Sequence, residues 1–275
     1  MPELPEVETV RRGLVSLVRG KKIQQVEVRW PKIIESPDVE RFKTELIGEV
    51  IQDVKRRGKY LIFEFSDFEM VSHLRMEGKY EFFTTEVPLD KHSHVIFHFT
   101  DGSELVYRDV RKFGRMALLK KGEALHYKGI QQLGPEPTEK EFDLTAFVVK
   151  LSRAKTMIKP LLLNQKVVAG LGNIYADEVL WLAKIHPEEP AQRLTEEEVA
   201  TLRQAIIAEL KKAQAAGGTT IRTYLNALGE AGNFQQQLHV YGQTGKPCER
   251  CGTPIVKIKV AQRGTHFCPH CQQLK

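Results

Sequence analysis

The stretch Gly134-Pro135-Glu136-Pro137 divides this chain of 275 residues into two halves with different hydrophobic patterns. One glycine and two prolines within four residues interrupt regular secondary structure, because proline lacks a backbone N–H and glycine is conformationally free. Before this stretch the apolar residues alternate, and after it they recur at helical spacing. A chain of this length also suits two domains better than one. We therefore predict an α+β protein of two domains that meet at 134–137.

The N-terminal half begins with one helix and continues as strands. Residues 5–19 carry an apolar stripe at helical spacing, and Gly20 follows as a candidate C-cap. From 22 to about 120 the apolar residues alternate, and the turn Thr100-Asp101-Gly102-Ser103 between two such runs is typical of a β-hairpin. This pattern predicts an N-terminal domain over 1–133, built as a β-sandwich or flattened barrel with a leading helix.

The C-terminal half has helical spacing as far as Gly217-Gly218. Thr138-x-x-Glu141 and Thr195-x-x-Glu198 each fit a capping box, in which the two side chains satisfy free N–H groups at a helix start. Residues 219–237 are polar and contain several glycines, and a loop of that length is uncommon unless it is functional. We predict a helical domain over 134–237 that includes this loop.

The four cysteines of the chain form two Cys-x2-Cys pairs separated by 16 residues. The candidate ligands are Cys248, Cys251, Cys268 and Cys271. Two such pairs on a hairpin present four sulfurs tetrahedrally, as structural zinc requires. Two disulfides are the alternative, but a chain without an export signal favours zinc. We predict one structural zinc ion on a hairpin over 238–275. His266 and His270 are not expected to bind it, because four thiolates fill its coordination sphere.

The charge of the chain favours an anionic partner. Lys plus Arg number 41 against 35 for Asp plus Glu, which gives a net charge of +6 and a pI near 9.0. Nucleic acid is the first candidate partner and a membrane surface the second. No apolar run reaches 18 residues, and the N-terminus lacks a basic stretch followed by an apolar core. We expect no membrane span and a cytoplasmic protein.

The N-terminus, Met1-Pro2-Glu3, carries the residue types of an amine nucleophile with an adjacent acid. Proline is small, so removal of Met1 would leave Pro2 as a secondary amine next to the Glu3 carboxylate. An α-amino group has an ordinary pKa of about 8, so roughly a tenth of it is neutral at pH 7. Such an amine attacks an aldehyde-like carbon to give an iminium. The alternative is that Pro2 marks an ordinary N-terminus.

Three segments between candidate strands combine cationic and apolar residues. Arg56-Arg57-Gly58-Lys59 supplies either phosphate contacts with Lys59 as a proton donor, or merely a solvated basic turn. Met76 in His73-Leu74-Arg75-Met76 and Phe113 in the 108–114 segment are residues that a protein uses to unstack a duplex step, while an arginine replaces the lost pairing. The alternative is that Met76 and Phe113 are core residues.

Two further turns are candidates for phosphate contacts. Residues 168–175 contain Gly170 and Gly172 between helices, where glycine lets backbone N–H groups approach a phosphate. A plain turn between helices is the equal alternative. Arg263 lies on the cysteine hairpin, where it either contacts a phosphate or is solvated.

Together these residues resemble one family, the bacterial formamidopyrimidine-DNA glycosylases. The resemblance is carried by Pro2-Glu3-Leu4-Pro5-Glu6-Val7-Glu8-Thr9, Arg111-Lys112-Phe113-Gly114, Gly172-Asn173-Ile174-Tyr175 and the terminal hairpin, in that order along the whole chain. It implies an N-terminal β-sandwich and a helix-two-turns-helix domain with a zinc finger. It also implies a monomeric base-excision-repair enzyme that removes 8-oxoguanine and formamidopyrimidines from double-stranded DNA and then cleaves the strand.

The resemblance also assigns roles to residues. It implies that Pro2 attacks C1′ of the damaged nucleoside, that Glu3 helps to open the sugar ring, and that Lys59 and Arg263 donate protons for β- and δ-elimination. Arg111 would face the orphaned cytosine, and the loop that begins at Thr219 would cover the flipped base. The residues that would contact DNA are His73, Met76, His92, Arg111, Phe113, Lys155, Asn173, Arg222, Thr223 and Tyr224.

Two other functions stay open at this point. An endonuclease VIII-type relative shares the fold and the nucleophile but prefers oxidised pyrimidines; Leu4 and the Arg111-Lys112-Phe113 element favour the purine activity. From a different class, the chain could be a catalytically silent DNA-binding protein built on a zinc ribbon. Borohydride trapping of a covalent protein–DNA adduct distinguishes the second alternative from an enzyme.

Overall fold

The computed structural model describes residues 1–85, 89–219 and 232–275. The chain divides into two compact units. The first consists of Met1–Gln131 and Gly217–Gly232, and the second of Gln132–Ala216 and Asn233–Lys275. The prediction of an α+β chain in two parts is confirmed.

The first unit is mainly β-structure. Its helices are α1 (Leu4–Val18), α2 (Val39–Leu46) and α3 (Lys128–Gln131). Its strands are β1 (Ile23–Val28), β2 (Ile34–Ser36), β3 (Asp53–Arg57), β4 (Tyr60–Glu64), β5 (Phe68–His73), β6 (Lys79–Phe83), β7 (Ser93–Phe99), β8 (Glu104–Arg108) and β9 (Arg115–Lys120).

These strands form two sheets that share one core. One sheet has the order β1-β7-β8-β6, and the other has the order β2-β9-β5-β4-β3. Alternate residues of both sheets point into one hydrophobic cluster, in which Phe97 and Tyr107 from the first sheet meet Phe63 and Met116 from the second. Two sheets that bury one face each against a common core form a sandwich. The predicted β-sandwich is therefore confirmed.

Helix α1 closes this core as the sequence pattern indicates. Val7, Val10 and Leu14 recur at helical spacing and are buried in the same cluster. The helix ends at Val18, and Gly20 takes a left-handed φ of +81°, which glycine adopts without steric cost. The hairpin at 100–103 also forms, between β7 and β8.

The second unit is helical and ends in a β-hairpin. Its elements are α4 (Leu144–Ser152), α5 (Ile158–Leu163), α6 (Asn173–Leu182), α7 (Glu196–Ala215), β10 (Val256–Val260) and β11 (Arg263–Phe267). Buried side chains from the four helices form its core, among them Phe147, Leu162, Val179 and Ile206, with Phe234 added from a short 3-10 turn. None of the helices in the described ranges is long and apolar enough to span a bilayer.

One of the two predicted capping boxes starts a helix. Thr195 Oγ1 accepts from the Glu198 N–H at 3.2 Å, and the Thr195 N–H donates to Glu198 Oε2 at 2.9 Å, at the start of α7. The prediction at Thr138 is wrong. Thr138 Oγ1 does accept from the Glu141 N–H at 3.2 Å, but the segment forms a turn, and α4 begins only after Asp143. Asp143 caps that helix by accepting from the Ala146 N–H at 2.7 Å.

Candidate active site and nucleic-acid interface

The N-terminus of the chain leads directly into α1. Pro2 and Glu3 precede the helix and are buried, Glu3 with 3% of its surface exposed. The Glu3 N–H donates to Glu6 Oε2 at 2.9 Å, which satisfies one donor of the first helical turn and fixes the direction of the terminus. Met1 acylates the Pro2 nitrogen, so Pro2 becomes an amine only when Met1 is removed.

The amino group of Met1, at the terminus, lies among several charges. Burial lowers its pKa from the ordinary value of 8.0, the carboxylates of Glu3 and Glu6 oppose that shift, and the Lys59 ammonium adds to it. The net lowering increases the neutral fraction of the amine near pH 7. Glu3, Glu6 and Lys59 therefore lie within electrostatic reach of the terminus.

Lys59 lies in the tight turn between β3 and β4. Gly58 holds a φ of +56°, and the Arg56 guanidinium donates from Nη1 to the Gly58 carbonyl at 3.0 Å. Only 4% of the Lys59 surface is exposed. Because an unengaged surface lysine keeps its ammonium in water, the solvated-turn interpretation does not apply to Lys59.

His73 ends β5 and is held as a neutral ring. It pairs with Tyr60 of β4, and the two ring centroids lie 4.6 Å apart in an edge-on arrangement. Burial lowers the pKa of His73 to about 3, and the nearby charges of Arg75 and Lys59 act in the same direction. Its Nδ1 accepts from the Arg75 N–H at 3.0 Å. Near pH 7 the ring therefore carries its proton on Nε2 and can donate only from there.

The first candidate wedge lies on the Met76 loop, which we define as residues 74–78. This loop joins β5 to β6 and is closed by the Gly78 N–H, which donates to the Leu74 carbonyl at 3.0 Å. Arg75 holds a left-handed φ of 55°, which is uncommon for a residue other than glycine. Met76 itself is partly buried.

The second candidate wedge lies on the Phe113 loop, residues 109–114, which joins β8 to β9. The buried carboxylate of Asp109 organises this loop. Its Oδ1 accepts from the Arg111 N–H at 2.9 Å, and its Oδ2 accepts from the N–H groups of Phe113 and Gly114, both at 2.8 Å. Three charge-assisted bonds to one carboxylate hold the loop in a single arrangement.

Phe113 points out of this loop into solvent. It is 45% exposed, and the Arg111 guanidinium lies 4.7 Å from its ring centroid, within cation–π distance. Lys112 takes a left-handed φ of 58° and places its Nζ 3.9 Å from the ring centroid of Trp30. The interpretation of Phe113 as a core residue is therefore wrong, since an exposed aromatic side chain beside an arginine is available to a partner.

His92 borders a shallow cavity of about 250 Å³ in the first unit. The cavity is lined by Glu77, Lys79, Asp90, His92, Arg108, Asp109 and Val110. The His92 N–H donates to Asp90 Oδ1 at 2.8 Å, and Asp90 forms an ion pair with Arg108. His92 is thus fixed by its backbone, close to the start of the Phe113 loop.

Glu6 is a site residue that the sequence reasoning missed. Its Oε1 accepts from the N–H of Thr219 at 2.7 Å and from the Thr219 hydroxyl at 3.0 Å. Gly218, with a φ of +75°, packs so closely that a Cβ atom there would lie 2.7 Å from the same oxygen. Glu6 therefore ties the start of α1 to the beginning of the 219–237 segment. The adjacent Gly217-Gly218 pair was the available signal.

Asn173 begins α6 in the second unit. Gly170 has a φ of +90° and Gly172 caps the helix, so the Gly-x-Gly turn delivers Asn173 to the helix N-terminus, where the backbone dipole favours an anion. The Asn173 side chain donates from Nδ2 to the Gly264 carbonyl of β11 at 3.0 Å. Lys155, which precedes α5, is exposed.

Arg263 begins β11, directly after the turn of the zinc hairpin. The turn residues Ala261 and Gln262 have positive φ values of 44° and 65°, which glycine usually supplies. Arg263 is exposed. Backbone strain of this kind persists only where the surrounding structure enforces it, and it clusters at functional sites.

A buried ion pair anchors this hairpin. Lys159 is fully buried, and its Nζ lies 2.6 Å from Asp177 Oδ1 and donates to Thr265 Oγ1 at 2.7 Å. Asp177 Oδ2 accepts from the His266 N–H at 2.8 Å. The sequence reasoning missed Lys159 and Asp177; the signal for the first was a lysine within the apolar run Met157–Leu163.

The four cysteines form a site that fits zinc. Their sulfur atoms all lie within 4.8 Å of one another, with Cys248 and Cys271 4.0 Å apart and Cys251 and Cys268 3.5 Å apart. Tetrahedral ligands at the usual Zn–S distance of about 2.3 Å are separated by about 3.8 Å, so these spacings match. The four cysteines are free, and these separations are longer than the S–S bond of about 2.05 Å, so the arrangement is that of a metal site and not of two disulfides.

Three family models match the chain. The formamidopyrimidine-DNA glycosylase N-terminal domain matches residues 1–116, the formamidopyrimidine-DNA glycosylase H2TH domain matches 133–225, and the zinc finger found in FPG and IleRS matches 245–274.

The chain belongs to the formamidopyrimidine-DNA glycosylase family.

Similar proteins support this membership over the full length. A formamidopyrimidine-DNA glycosylase from Enterococcus faecalis is 65% identical over 275 residues, covering 100% of this chain and 98% of that protein. The protein of the same name from Lactiplantibacillus plantarum is 57% identical and both chains are covered completely. The protein is therefore a DNA glycosylase of base excision repair whose C-terminal finger binds one structural zinc ion.

Solved structures of similar fold contain DNA. The Lactococcus lactis Fpg in complex with abasic-site DNA has a TM-score of 0.94 and 52% identity, covering 98% of this chain and 99% of that one. A Lactococcus lactis Fpg mutant in complex with Fapy-dG DNA has a TM-score of 0.95 and 52% identity, covering 99% and 100%. Damaged DNA is thus the binding partner of this glycosylase family.

The predicted site residues of this glycosylase fall into three groups. The first unit brings Pro2, Glu3 and Lys59 together and carries His73, His92 and both wedge loops. The second unit carries Lys155, Asn173, Arg263 and the four cysteines. Arg222, Thr223 and Tyr224 lie outside the described residues. The roles assigned to all of these residues stay predictions.

Proposed function

We propose that this glycosylase excises 8-oxoguanine and formamidopyrimidines by attack of the Pro2 amine on C1′, and then cleaves the DNA strand by β,δ-elimination. The observation that carries the proposal is the N-terminus itself. Pro2 is buried at the start of α1 beside the buried acid Glu3, and the amino group of the adjacent Met1 is under the electrostatic influence of Lys59. An amine, an acid and an ammonium group are the three groups that the reaction needs.

Base removal follows from this arrangement. The Pro2 nitrogen forms a bond to C1′ as the C1′–N bond to the base breaks, and the base leaves with that electron pair and takes up a proton. The Glu3 carboxylate takes up the proton that the attacking nitrogen loses and passes it to O4′, so the sugar ring opens and the nitrogen lone pair forms an iminium with C1′. Burial lowers the pKa of the Met1 amino group, and we propose that the same surroundings favour the neutral, nucleophilic form of the Pro2 amine once Met1 is removed.

Strand cleavage is the second consequence of the iminium. The iminium acidifies the C2′ protons, so loss of one C2′ proton expels the 3′ phosphate by β-elimination. A second elimination, with loss of a C4′ proton, expels the 5′ phosphate. We assign the proton transfers of these steps to Lys59 and Arg263 respectively. One amine thereby accounts for glycosylase and lyase activities together.

Access to the damaged nucleotide requires that it leave the duplex. Extrusion costs a few kcal/mol, which wedge and phosphate contacts can offset. Phe113 is exposed beside Arg111, and Met76 lies on the Met76 loop, which like the Phe113 loop connects one sheet to the other. We propose that Met76 and Phe113 fill the gap and that Arg111 pairs with the orphaned cytosine. His73, His92 and Lys155 are proposed as DNA contacts and Asn173 as a phosphate contact. Arg222, Thr223 and Tyr224 are proposed as DNA-binding residues of the loop that covers the flipped base.

Borohydride trapping tests the nucleophile. Protein from which Met1 has been removed, as intact mass verifies, should form a covalent adduct with a duplex that contains 8-oxoguanine opposite cytosine. The matched control is the same chain with an N-terminal extension, which acylates Pro2 and should abolish the adduct. An adduct of equal yield on the extended protein would refute Pro2 and point to a lysine.

A second substrate class is supported by one specific observation. A Lactococcus lactis Fpg structure at 50% identity and a TM-score of 0.93 contains an oxidised pyrimidine in its DNA. We nevertheless expect purine lesions to be preferred, because Leu4 and the Arg111–Phe113 element follow the purine-type pattern. Single-turnover excision of 8-oxoguanine and thymine glycol from otherwise identical duplexes decides this, and equal or reversed rates would overturn the preference.

Three further predictions concern the domain boundaries, the oligomeric state and the cellular location of the protein. The domain boundaries 1–133, 134–237 and 238–275 predict limited proteolysis near residue 134 and near residue 238. We also propose that the protein acts as a monomer, which light scattering would test. Its proposed place of action is the bacterial cytoplasm, where DNA binding would associate it with the nucleoid.

A further inference from the structure

The Met76 loop and the Phe113 loop run side by side between the two sheets. The Met76 loop leaves β5 and enters β6, whereas the Phe113 loop leaves β8 and enters β9. At one end of the loops His73 pairs with Arg115, and at the other end Lys79 pairs with Arg108. Both ends of one loop are thus hydrogen-bonded neighbours of the ends of the other, although the loops are about 35 residues apart in sequence.

One buried side chain lies against both loops. A Cβ atom on Gly78, at the end of the Met76 loop, would lie 2.1 Å from the Tyr107 hydroxyl oxygen. A Cβ atom on Gly114, at the end of the Phe113 loop, would lie 1.7 Å from the same oxygen. Both glycine backbones therefore pack directly on the Tyr107 hydroxyl, and no other residue type fits at either position without movement.

Tyr107 is itself rigidly held. It is fully buried in β8, and its ring centroid lies 5.1 Å from that of Tyr80, its partner on β6. The loops above it are strained, because Arg75 and Lys112 both hold left-handed φ values immediately before Met76 and Phe113. A close-packed core element transmits a displacement instead of absorbing it. A movement of either loop must therefore act on the phenol that supports the other.

We infer that Tyr107 is a positioning residue that couples the two loops, so that Met76 and Phe113 are presented to the duplex as one unit. The inference rests on the proposed function, in which these two side chains fill the space left by the extruded nucleotide. Tyr107 makes its contribution through the loop glycines and not by touching the substrate. Its hydroxyl sets the separation of the loops, and that separation fixes where the two wedges stand relative to each other.

Perturbing one loop and observing the other tests the coupling in the free enzyme. Protein labelled with 5-fluorotryptophan carries two reporters, Trp30 and Trp181. Trp30 reports on the Phe113 loop, because the Lys112 Nζ lies 3.9 Å from its ring centroid. Gly78→Ala changes the Met76 loop and presses on Tyr107, and it adds no atom to the Phe113 loop. We expect it to shift the ¹⁹F resonance of Trp30 and to leave that of Trp181 in place.

The Tyr107→Phe background decides whether the hydroxyl carries this effect. We expect the Trp30 shift caused by Gly78→Ala to fall to less than about half when the hydroxyl is absent. Tyr80→Phe is the matched control, because the Tyr80 hydroxyl lies 2.7 Å from Ser72 Oγ in the same core. That variant should preserve the full shift. A Trp30 shift of equal size with and without the Tyr107 hydroxyl, or no shift at all, would overturn the inference.

A double-mutant cycle measures the same coupling during catalysis and does not depend on the folding of Gly78→Ala. Met76→Ala and Phe113→Ala should each slow single-turnover excision of 8-oxoguanine. Together they should cost roughly 10-fold less than the product of the single effects, because the second wedge is already misplaced. In Tyr107→Phe protein the effects should multiply to within about 2-fold, whereas Tyr80→Phe should keep the 10-fold deviation.

The possible outcomes separate this inference from the function on which it rests. Unchanged non-additivity in Tyr107→Phe protein would overturn the coupling and leave the wedge roles standing. Normal excision by both Met76→Ala and Phe113→Ala would overturn the wedge roles, and the coupling with them.

Discussion

Arg56 joins helix α1 to the turn that carries Lys59. Its Nε donates to Glu8 Oε2 at 3.1 Å, and its Nη1 donates to the Gly58 carbonyl at 3.0 Å. Glu8 lies on α1, the helix that begins just after Pro2, and it also binds Arg11 at 2.8 Å. A continuous chain of hydrogen bonds therefore runs from the helix that follows Pro2, the proposed nucleophile, to the backbone next to Lys59, the proposed proton donor.

We predict that Glu8→Gln loosens this connection. Glutamine keeps the size of the side chain but removes the charge that two partly buried guanidinium groups face, so the free energy of unfolding should fall by about 1–3 kcal/mol. Cleavage of a preformed abasic site, for which Lys59 is the proposed proton donor, should slow more than borohydride trapping. Glu40→Gln is the control, since its pair with Lys43 is exposed and is worth at most about 0.5 kcal/mol. Equal losses in both variants would contradict the prediction.

The same carboxylate gives a pH dependence of stability. Burial alone would raise the pKa of Glu8, but the hydrogen bonds and charges of Arg11 and Arg56 outweigh it and lower the pKa to about 2. The unfolded chain takes up this proton near pH 4.5, so the stabilisation is present above that pH and is lost as the pH falls towards 2. The free energy of unfolding, measured with urea, should therefore depend less on pH in Glu8→Gln than in wild-type protein between pH 4.5 and about 2.

The titration of His73 predicts a second pH range, above that of Glu8, in which the stability of the fold changes. Its folded pKa of about 3 lies below the ordinary 6.5, because burial disfavours the cation. The unfolded state binds the proton first, so stability is complete above pH 6.5 and falls by up to about 2 kcal/mol between pH 6.5 and 5. His73→Asn keeps an acceptor for the Arg75 N–H but has no imidazole to titrate. The free energy of unfolding of this variant should therefore fall less between pH 6.5 and 5. An equal loss of stability in wild-type and His73→Asn protein over this interval would contradict the prediction.

Zinc removal should be visible at Trp181. The indole N–H of Trp181 lies 3.4 Å from Cys248 Sγ, and its ring lies between His239, with centroids 4.2 Å apart, and the Arg250 guanidinium at 3.7 Å. In Trp30→Phe protein, chelation should change the remaining tryptophan emission and abolish DNA binding before the first unit unfolds. Retained affinity in zinc-free protein would disprove the role of the finger.

The elements that could be predicted from sequence are those with local signals. The cysteine spacing, the helix over 5–19, the Asp-Gly hairpin and the Thr195 capping box each depend on residues within one element, and each is found in the structure. The Thr138 box failed because its hydrogen bond is equally satisfied by a turn, and Asp143 is the stronger competitor for the helix start.

The contacts that organise the site could not be predicted, because they join residues far apart in sequence. Glu6 meets Thr219 across 213 positions, and Lys159 meets Thr265 across 106. No local pattern marks a tyrosine as the support of two loops, and Tyr107 appears in the sequence only as an alternating strand residue. The sequence predicts which loops contact DNA, whereas the groups that hold those loops in place appear only in three dimensions.

The Glu6–Thr219 contact can be tested at Gly218, with Gly48 as a control for the backbone strain that a side chain causes at positive φ. Gly218→Ala places a Cβ 2.7 Å from Glu6 Oε1, and Gly48→Ala, at a similar φ of +87°, has no atom within 4 Å. Both substitutions carry the left-handed penalty of roughly 1–2 kcal/mol, but only Gly218→Ala should also break the Glu6 bonds, at about 1–3 kcal/mol more. We expect Gly218→Ala, but not Gly48→Ala, to slow excision of 8-oxoguanine. Equal stability and equal excision rates in the two variants would show that the Glu6–Thr219 contact does not contribute to activity.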